Sequence, residues 1–454
     1  MQIKRKLKND KLNSKRALIL AYDFPPYVSV GGLRPFNWYK YLNEFGVYPY
    51  VVTRQWENNH GNFLDYISES KSNFSTIEND EKGTLIRAPY TPNISNRLLI
   101  KYGENRHKLI RKCITGYFEF GQFVSKTGPK VEIYNAAKQF LKENKVDVIV
   151  ATGDPFVLFG YAASLSKEFG IPWIADYRDP WSQNKSHSKN IIFRIWNKYF
   201  EKKIVSSASQ IITVSDFLKV TIGSLIENVP IHILPNGYDP EVIDEIGKID
   251  QGSEIFQIAF VGTIYEWHPI RSFLKILNQF AINNPEVKFR FNLYGINITA
   301  QIEELIENEF AALKKYVYIT PKIPNDILLK KLAQNNVMLL FNYYSFMGTK
   351  IFDYLGIRRK ILMCYSNDEE TLKLKDKYYT MDEIIGVSHQ LQIDLIEETK
   401  SGIVIENEEN LMIAINDLSR EFARNRKIEC NSINVENYSR KIQVKKLAEI
   451  IKSL

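Results

Sequence analysis

Apolar residues along this chain gather in short runs, each closed by a turn and followed by a segment of helical spacing. The first run is 16–22, RALILAY, and two prolines with Gly31-Gly32 punctuate the loop after it. Residues 33–45 then carry helical spacing, Gly46 suits a helix C-terminus, and 48–53 is the next strand. Residues 56–81 are polar and irregular and predict a surface excursion. The pattern resumes with helix 131–145, strand 146–151, helix 156–169, strand 171–176, helix 193–207, strand 210–214 and a short strand at 231–234. After a weakly patterned stretch it restarts with strand 256–261, helix 271–280, strand 288–293, helix 303–315, strand 317–320, helix 327–334 and strand 337–341. Gly348-Thr349-Lys350 turns into a helix at 351–356 and a strand at 360–364. Such strand–helix–strand repetition predicts α/β architecture with parallel sheets covered on both faces. The expected plan is a basic tail at 1–16, a first Rossmann-like domain at 17–239, a linker at 240–255, a second domain at 256–434 and a last helix at 435–454, apolar at Val444, Leu447, Ile450 and Ile451.

Length and composition agree with two cores: 454 residues, 44% hydrophobic and 25% charged. The net charge of +8 points to an acidic partner, whether nucleic acid, an anionic membrane face or a phosphorylated substrate. No nucleic-acid recognition module accompanies it, so nucleic acid is not an expected partner. Cys113, Cys364 and Cys430 show neither metal spacing nor a disulfide framework, which fits a reducing cytosol. With no HxH, CxxC or carboxylate cluster, no bound metal and no resident cofactor are expected. No apolar run approaches the roughly 18–20 residues of a membrane span, and 17–22 is too short for a signal-peptide core. The expected location is therefore cytoplasmic, soluble or peripheral at the inner face of the membrane.

Positive charge is concentrated in two places. The tail to Arg16 reads either as a solvated segment or as a membrane or nucleic-acid contact. Arg97, Lys101, Arg106, Lys108, Arg111 and Lys112 interleave with Leu98, Leu99, Ile100, Leu109 and Ile110, ahead of Tyr117, Phe118, Phe120 and Phe123. That pattern fits a membrane-surface helix, or a helix that packs its apolar face on the core and solvates its charges.

The chemistry candidates lie at the ends of strands. In Gly348-Thr349-Lys350 a helix N-terminus and a cation meet, which suits phosphate, and Asp353 one turn on could accept hydrogen bonds from sugar hydroxyls. Asp154, Arg178 and Asp179 follow strand ends, where ligands bind in open α/β sheets. The Gly31-Gly32 loop is not GxGxxG, and 51–53 runs into Arg54 rather than an acid, so a nicotinamide enzyme is disfavoured.

Three segments in order, DFPPYVSVGG, ITVSDF with LPNGYDP, and GTKIFDYLG, resemble family 4 glycosyltransferases of the GT-B fold, of the bacterial surface-polysaccharide type. The resemblance implies two doubly wound Rossmann-like domains facing across a cleft, a pivot at 235–239, and a last helix crossing back to the first domain. It implies a hexosyltransferase-like enzyme that moves sugar from a nucleotide-sugar donor to a saccharide or lipid-linked saccharide acceptor, with retention of configuration and without metal. Gly31 and Gly32 would approach the donor phosphate, and Gly262 and Thr263 would open the second domain's phosphate site. Tyr294, Gly295, Lys322 and Ile323 would flank the nucleobase. Gly348, Thr349 and Lys350 would hold the diphosphate, and Asp353 the ribose. The chain departs from the family at three points. Thr263 and His268 stand where many members carry Arg and Lys, so Lys350, Arg271 or a protonated His268 is the expected substitute. Ser345 stands where a first glutamate precedes Asp353 by eight residues. The usual first-domain histidine has no counterpart, leaving Asp154, Arg178 and Asp179 beside Lys350 as the catalytic candidates. The alternative is a non-catalytic sugar-nucleotide-binding or scaffold protein of the same fold.

Overall fold

The computed structural model describes residues 14–56, 63–183, 191–379, 381 and 383–454. Most of the expected basic tail lies outside the described residues. The chain divides into one unit of residues 1–235 with 441–454 and another of residues 236–440.

The first unit is built on strands β1 (Lys15–Leu20), β2 (Val47–Arg54), β3 (Thr76–Asn79), β4 (Thr84–Ala88), β5 (Val148–Gly153), β6 (Trp173–Tyr177), β7 (Gln210–Thr213) and β8 (Ile231–Ile233). Their order is β3-β4-β2-β1-β5-β6-β7-β8, and only the β3–β4 pair is antiparallel. Every residue of β5 and β6 is buried, as expected where helices cover both faces of a parallel sheet. The last helix, Arg440–Lys452, places Val444, Leu447, Ala448 and Ile451 in this unit's core beside Ala17, Ile19 and Val51.

The β3–β4 hairpin lies partly in the stretch expected to be irregular. Its turn is set by Asp80, whose Oδ1 accepts from the backbone N–H groups of Lys82 (2.8 Å) and Gly83 (3.0 Å). The Gly31-Gly32 pair lies inside a helix rather than in a loop. That helix starts at Val30, with Ser29 as N-cap accepting from Gly31 N.

The second unit carries β9 (Phe256–Val261), β10 (Phe289–Tyr294), β11 (Val317–Thr320), β12 (Val337–Phe341), β13 (Lys360–Cys364) and β14 (Gly402–Ile405). They run parallel in the order β11-β10-β9-β12-β13-β14, with one apolar cluster on each face of the sheet. The expected linker begins instead with a helix, Pro240–Ile246, whose Ile243 and Ile246 join the core of this unit. Asp239 caps it and Pro240 occupies its first turn, a start signal legible in the sequence.

Residues 235–239, expected as a pivot, are partly strapped within the second unit. Tyr238 N donates to Tyr438 O (3.2 Å) and Arg440 N to Tyr238 O (2.8 Å). A Cβ at Gly237 would collide with the Tyr438 carbonyl. Gly237→Ala is therefore expected to lower stability by about 1–3 kcal/mol, read by urea unfolding, because backbone rather than a flexible side chain must move. Among the described residues no helix is long and apolar enough to cross a membrane.

Candidate active site

In the second unit, β9 and β12 are neighbours although two strands and four helical segments separate them in sequence. The crevice beyond their C-terminal ends is the topological switch point, where such sheets bind ligands. β9 ends in Gly262 (φ +82°) and Thr263; β12 leads through Asn342, Tyr343 and Tyr344 to the helix Lys350–Ile357. Lys350 reaches back across this point. Its Nζ donates to Thr263 O (3.2 Å) and to Tyr343 Oη (3.3 Å), and lies 4.8 Å from the Phe260 ring centre. Glycine is favoured at 262 by its backbone conformation (φ +82°), and a Cβ there would lie 2.9 Å from Lys350 Cε and so push the lysine side chain aside.

Among the described residues Lys350 has no carboxylate partner, and burial lowers its ammonium to about 7. A half-buried cation beside a helix N-terminus, whose Thr349 cap offers no side-chain hydrogen bond, is an arrangement suited to an anion.

The two other expected substitutes do not serve. His268 is buried, and burial together with Lys350 pulls it well below the usual imidazole value, so it is neutral at pH 7. Its Nδ1 accepts from Tyr265 N (3.2 Å), which leaves Nε2 buried without a partner. Arg271 is turned to solvent and bound to Glu309 (2.6 Å). Of the three expected cations, Lys350 alone carries a charge at the switch point.

Around it stand aromatic groups that the sequence reading passed over. Tyr265 stacks on Trp267 (4.6 Å, 11°), and Tyr343 meets Tyr265 edge-on at 5.4 Å. Ser345, in the position of the missing glutamate, bonds His389 Nδ1 (3.1 Å), and its N–H donates to Tyr379 Oη (3.1 Å). Gly348 lies close to the Tyr343 ring, within 3.6 Å of an added Cβ. Asp353 has its carboxyl enclosed; burial raises it to about 6, against the pull of Arg440. At the neighbouring strand ends, Tyr294 is buried and Gly295 (φ +59°) abuts exposed Lys322, with half-buried Ile323 beyond it.

In the first unit the corresponding point lies beyond β1 and β5. Pro35 lacks an N–H, so the Gly31 carbonyl one turn earlier has no helical donor. Arg178 fills the vacancy: Nη1 donates to Gly31 O (2.7 Å), Nε to Gly153 O (2.7 Å) and Nη2 to Asp154 O (2.9 Å). Arg178 is thus a clamp on three carbonyls, and its position fixes the loops around it. Gly31 admits no side chain, since a Cβ would lie 2.6 Å from Arg178 Nη1 and 2.8 Å from Asp23 Oδ2. Gly32 packs on the backbone of Asp23 and Phe24. Asp154 and Asp179 are exposed.

A half-buried acid here is Asp23, which follows β1 and was not among the expected residues. Ser29 Oγ donates to its Oδ2 (2.6 Å), while Oδ1 is buried without a partner. Burial raises its pKa, with Ser29 and Arg178 drawing it down. Beneath it, Arg34 is ion-paired with Asp176 (2.9 Å) and donates to Leu234 O (2.8 Å), and Thr152 Oγ1 donates to Asp176 (2.8 Å).

Residues 36–242 match the sequence model described as Glycosyltransferase Family 4. No curated protein matches the chain in sequence. Among solved structures, a sucrose-phosphate synthase from Thermosynechococcus elongatus is similar at 14% identity and TM-score 0.59, covering 97% of this chain and 98% of that one. A UDP-forming α,α-trehalose-phosphate synthase from Burkholderia vietnamiensis is similar at 10% identity and TM-score 0.56, covering 97% of each chain. A trehalose-6-phosphate structure from E. coli, bound with UDP-2-fluoro glucose, is similar at 9% identity and TM-score 0.53, covering 96% of each. Residues 36–242 are thus similar to the Glycosyltransferase Family 4 model, in a chain that shares the GT-B fold of those solved structures.

Proposed function

We propose that the protein transfers a sugar from a nucleotide-sugar donor to a hydroxyl of a saccharide acceptor, lipid-linked and in cell-surface polysaccharide synthesis. In this reading transfer retains configuration and needs no metal, as the resemblance to the family implies. The observation that carries the reading is Lys350, a half-buried cation with no carboxylate partner among the described residues, at the switch point of the second unit. The donor's diphosphate supplies the missing negative charge. As the nucleotide leaves, charge grows on that phosphate, and Lys350 stabilises it more in the transition state than in the ground state. The stack of Tyr265 and Trp267 offers a flat apolar face to a base or a sugar ring.

Support for the acceptor's place comes from Asp23, whose buried Oδ1 is without a partner and would accept a hydrogen bond from the incoming hydroxyl. A hydrogen bond to a charged group is worth about 1.5–3 kcal/mol. Asp23→Asn is therefore expected to slow transfer roughly 10–100-fold while leaving acceptor-free hydrolysis of the donor unchanged. Equal loss of both rates would remove Asp23 from acceptor binding.

Titration calorimetry with a panel of nucleoside diphosphates tests the donor site. One saturable site per chain is expected for at least one base, and no binding across the panel would overturn the reading. Binding with no turnover would favour the scaffold alternative.

A further inference from the structure

We propose that helices Lys108–Ser125 and Ile191–Val205 of the first unit form a docking surface for an anionic lipid bilayer. The proposal stands on surface geometry and does not depend on the transfer reaction.

The sequence left two readings for the basic stretch around 97–112, one of them a helix packed on the core. In the structure the stretch divides between helix Ile94–Tyr102, which buries Leu99 as the core-packed reading expects, and Lys108–Ser125, which has no buried residue at all. Leu109 is 79% exposed and Tyr117 68%, with Ile110 and Val124 also exposed. Leu109, Cys113, Tyr117 and Val124 recur at helical spacing and so share one stripe. Its partner helix repeats the pattern. Ile191, Ile192, Ile195 and Tyr199 form an i, i+1, i+4, i+8 stripe, with Ile191 67% and Ile195 65% exposed. The two helices are joined along an aromatic seam, Phe120 meeting Phe193 (5.4 Å) and Trp196 (5.5 Å) edge-on. The exposed stripes border this seam, so their apolar side chains lie on neighbouring helices rather than as isolated residues.

The surrounding charge selects the occupant. Exposed Lys108, Lys112, Arg194, Lys198 and Lys203 flank the stripes. The acid on the second helix, Glu201, is withdrawn into the protein, where it accepts from Tyr177 Oη (3.0 Å) and Ser182 N (2.8 Å). A second copy of the chain would set these cations against themselves, which opposes a symmetric dimer. An apolar ridge rimmed by cations matches instead the boundary of an anionic bilayer, with acyl chains against the isoleucines and headgroups against the lysines.

Cys113 sits within the first stripe and is exposed, whereas Cys364 is buried and Cys430 is half-buried. An environment-sensitive fluorophore on Cys113 of the full chain therefore reports the surface directly. A blue shift is expected with phosphatidylcholine vesicles containing phosphatidylglycerol, and none with phosphatidylcholine alone. Raising salt from about 0.1 M to about 1 M shortens the Debye length from about 10 Å to about 3 Å and should weaken the partition at least ~10-fold. The double variant Ile191→Glu/Ile195→Glu changes only exposed side chains, which circular dichroism and thermal melting will verify. It should lose binding ~10-fold or more, read by vesicle co-sedimentation. Equal partition onto neutral and anionic vesicles would overturn the proposal. So would undiminished binding by the folded double variant, or a wild-type dimer that the variant abolishes while vesicle binding persists.

Discussion

Replacing Lys350 by methionine will remove donor turnover by about 100-fold or more and, in the same variant, raise the stability of the ligand-free protein. On the proposed reading, the first effect follows from deleting the cation that would meet the leaving phosphate, where charge-assisted contacts matter most in the transition state. The second follows from burial. An unfolded lysine holds its proton to about pH 10.5, whereas folded Lys350 releases it near 7. Between those values the unfolded chain binds more protons, so stability rises with pH from 7 to 10.5, and the folded state is penalised most below pH 7. Methionine keeps the volume and removes the penalty, for an expected gain of about 1–3 kcal/mol at neutral pH by urea unfolding. The same depressed value links donor binding to protons. The anion binds the charged form, so donor affinity is highest below pH 7 and falls as pH rises, by at most about tenfold per unit. A Lys350→Met protein that binds donor normally, with the same pH dependence, would remove Lys350 from the site.

The largest loss of stability is expected at Asp176, in the first unit. Arg34 and Asp176 are 7% and 0% exposed, and the guanidinium is held in addition by the Leu234 carbonyl. Removing one member of such a pair leaves a buried charge without a partner and typically costs about 3–5 kcal/mol. Asp176→Ala should therefore lose about 3–5 kcal/mol, read as an earlier urea midpoint with unchanged slope. The double variant Arg34→Met/Asp176→Leu should recover much of that loss, because no charge remains buried. If the double variant is as unstable as the sum of the single ones, the pair is not the source.

How much of this was legible in the sequence depends on how local each cause is. Strands β9, β12 and β13 have the bounds their apolar runs predict, since a central parallel strand is apolar throughout, and the edge strand β11 matches its predicted bounds as well. β3, exposed along its whole length, carries no such run, and only the Asp80–Gly83 turn betrays the hairpin. Residues 365–434 yielded no elements to the same reading, although they hold three helices and the half-exposed strand β14. At the proposed site, the GTK turn carries the expectation of an anion, and the structure brings Lys350 back to the Thr263 carbonyl there. Which cation serves it could not be read from spacing: Arg271 is claimed by Glu309 and His268 is discharged by burial, and both facts belong to distant parts of the chain. The Arg178 clamp is similar. Pro35 shows that the Gly31 carbonyl lacks a donor, yet only the fold shows that Arg178 supplies one.

The most direct measurement is release of nucleotide when the pure protein is incubated with UDP-, GDP-, CDP- and dTDP-sugars, with and without saccharide acceptors. Transfer or slow hydrolysis of at least one donor is predicted, lost in Lys350→Met and unchanged by EDTA. No release from any donor under any condition, or a rate that collapses with EDTA and returns with added divalent metal, would contradict the account.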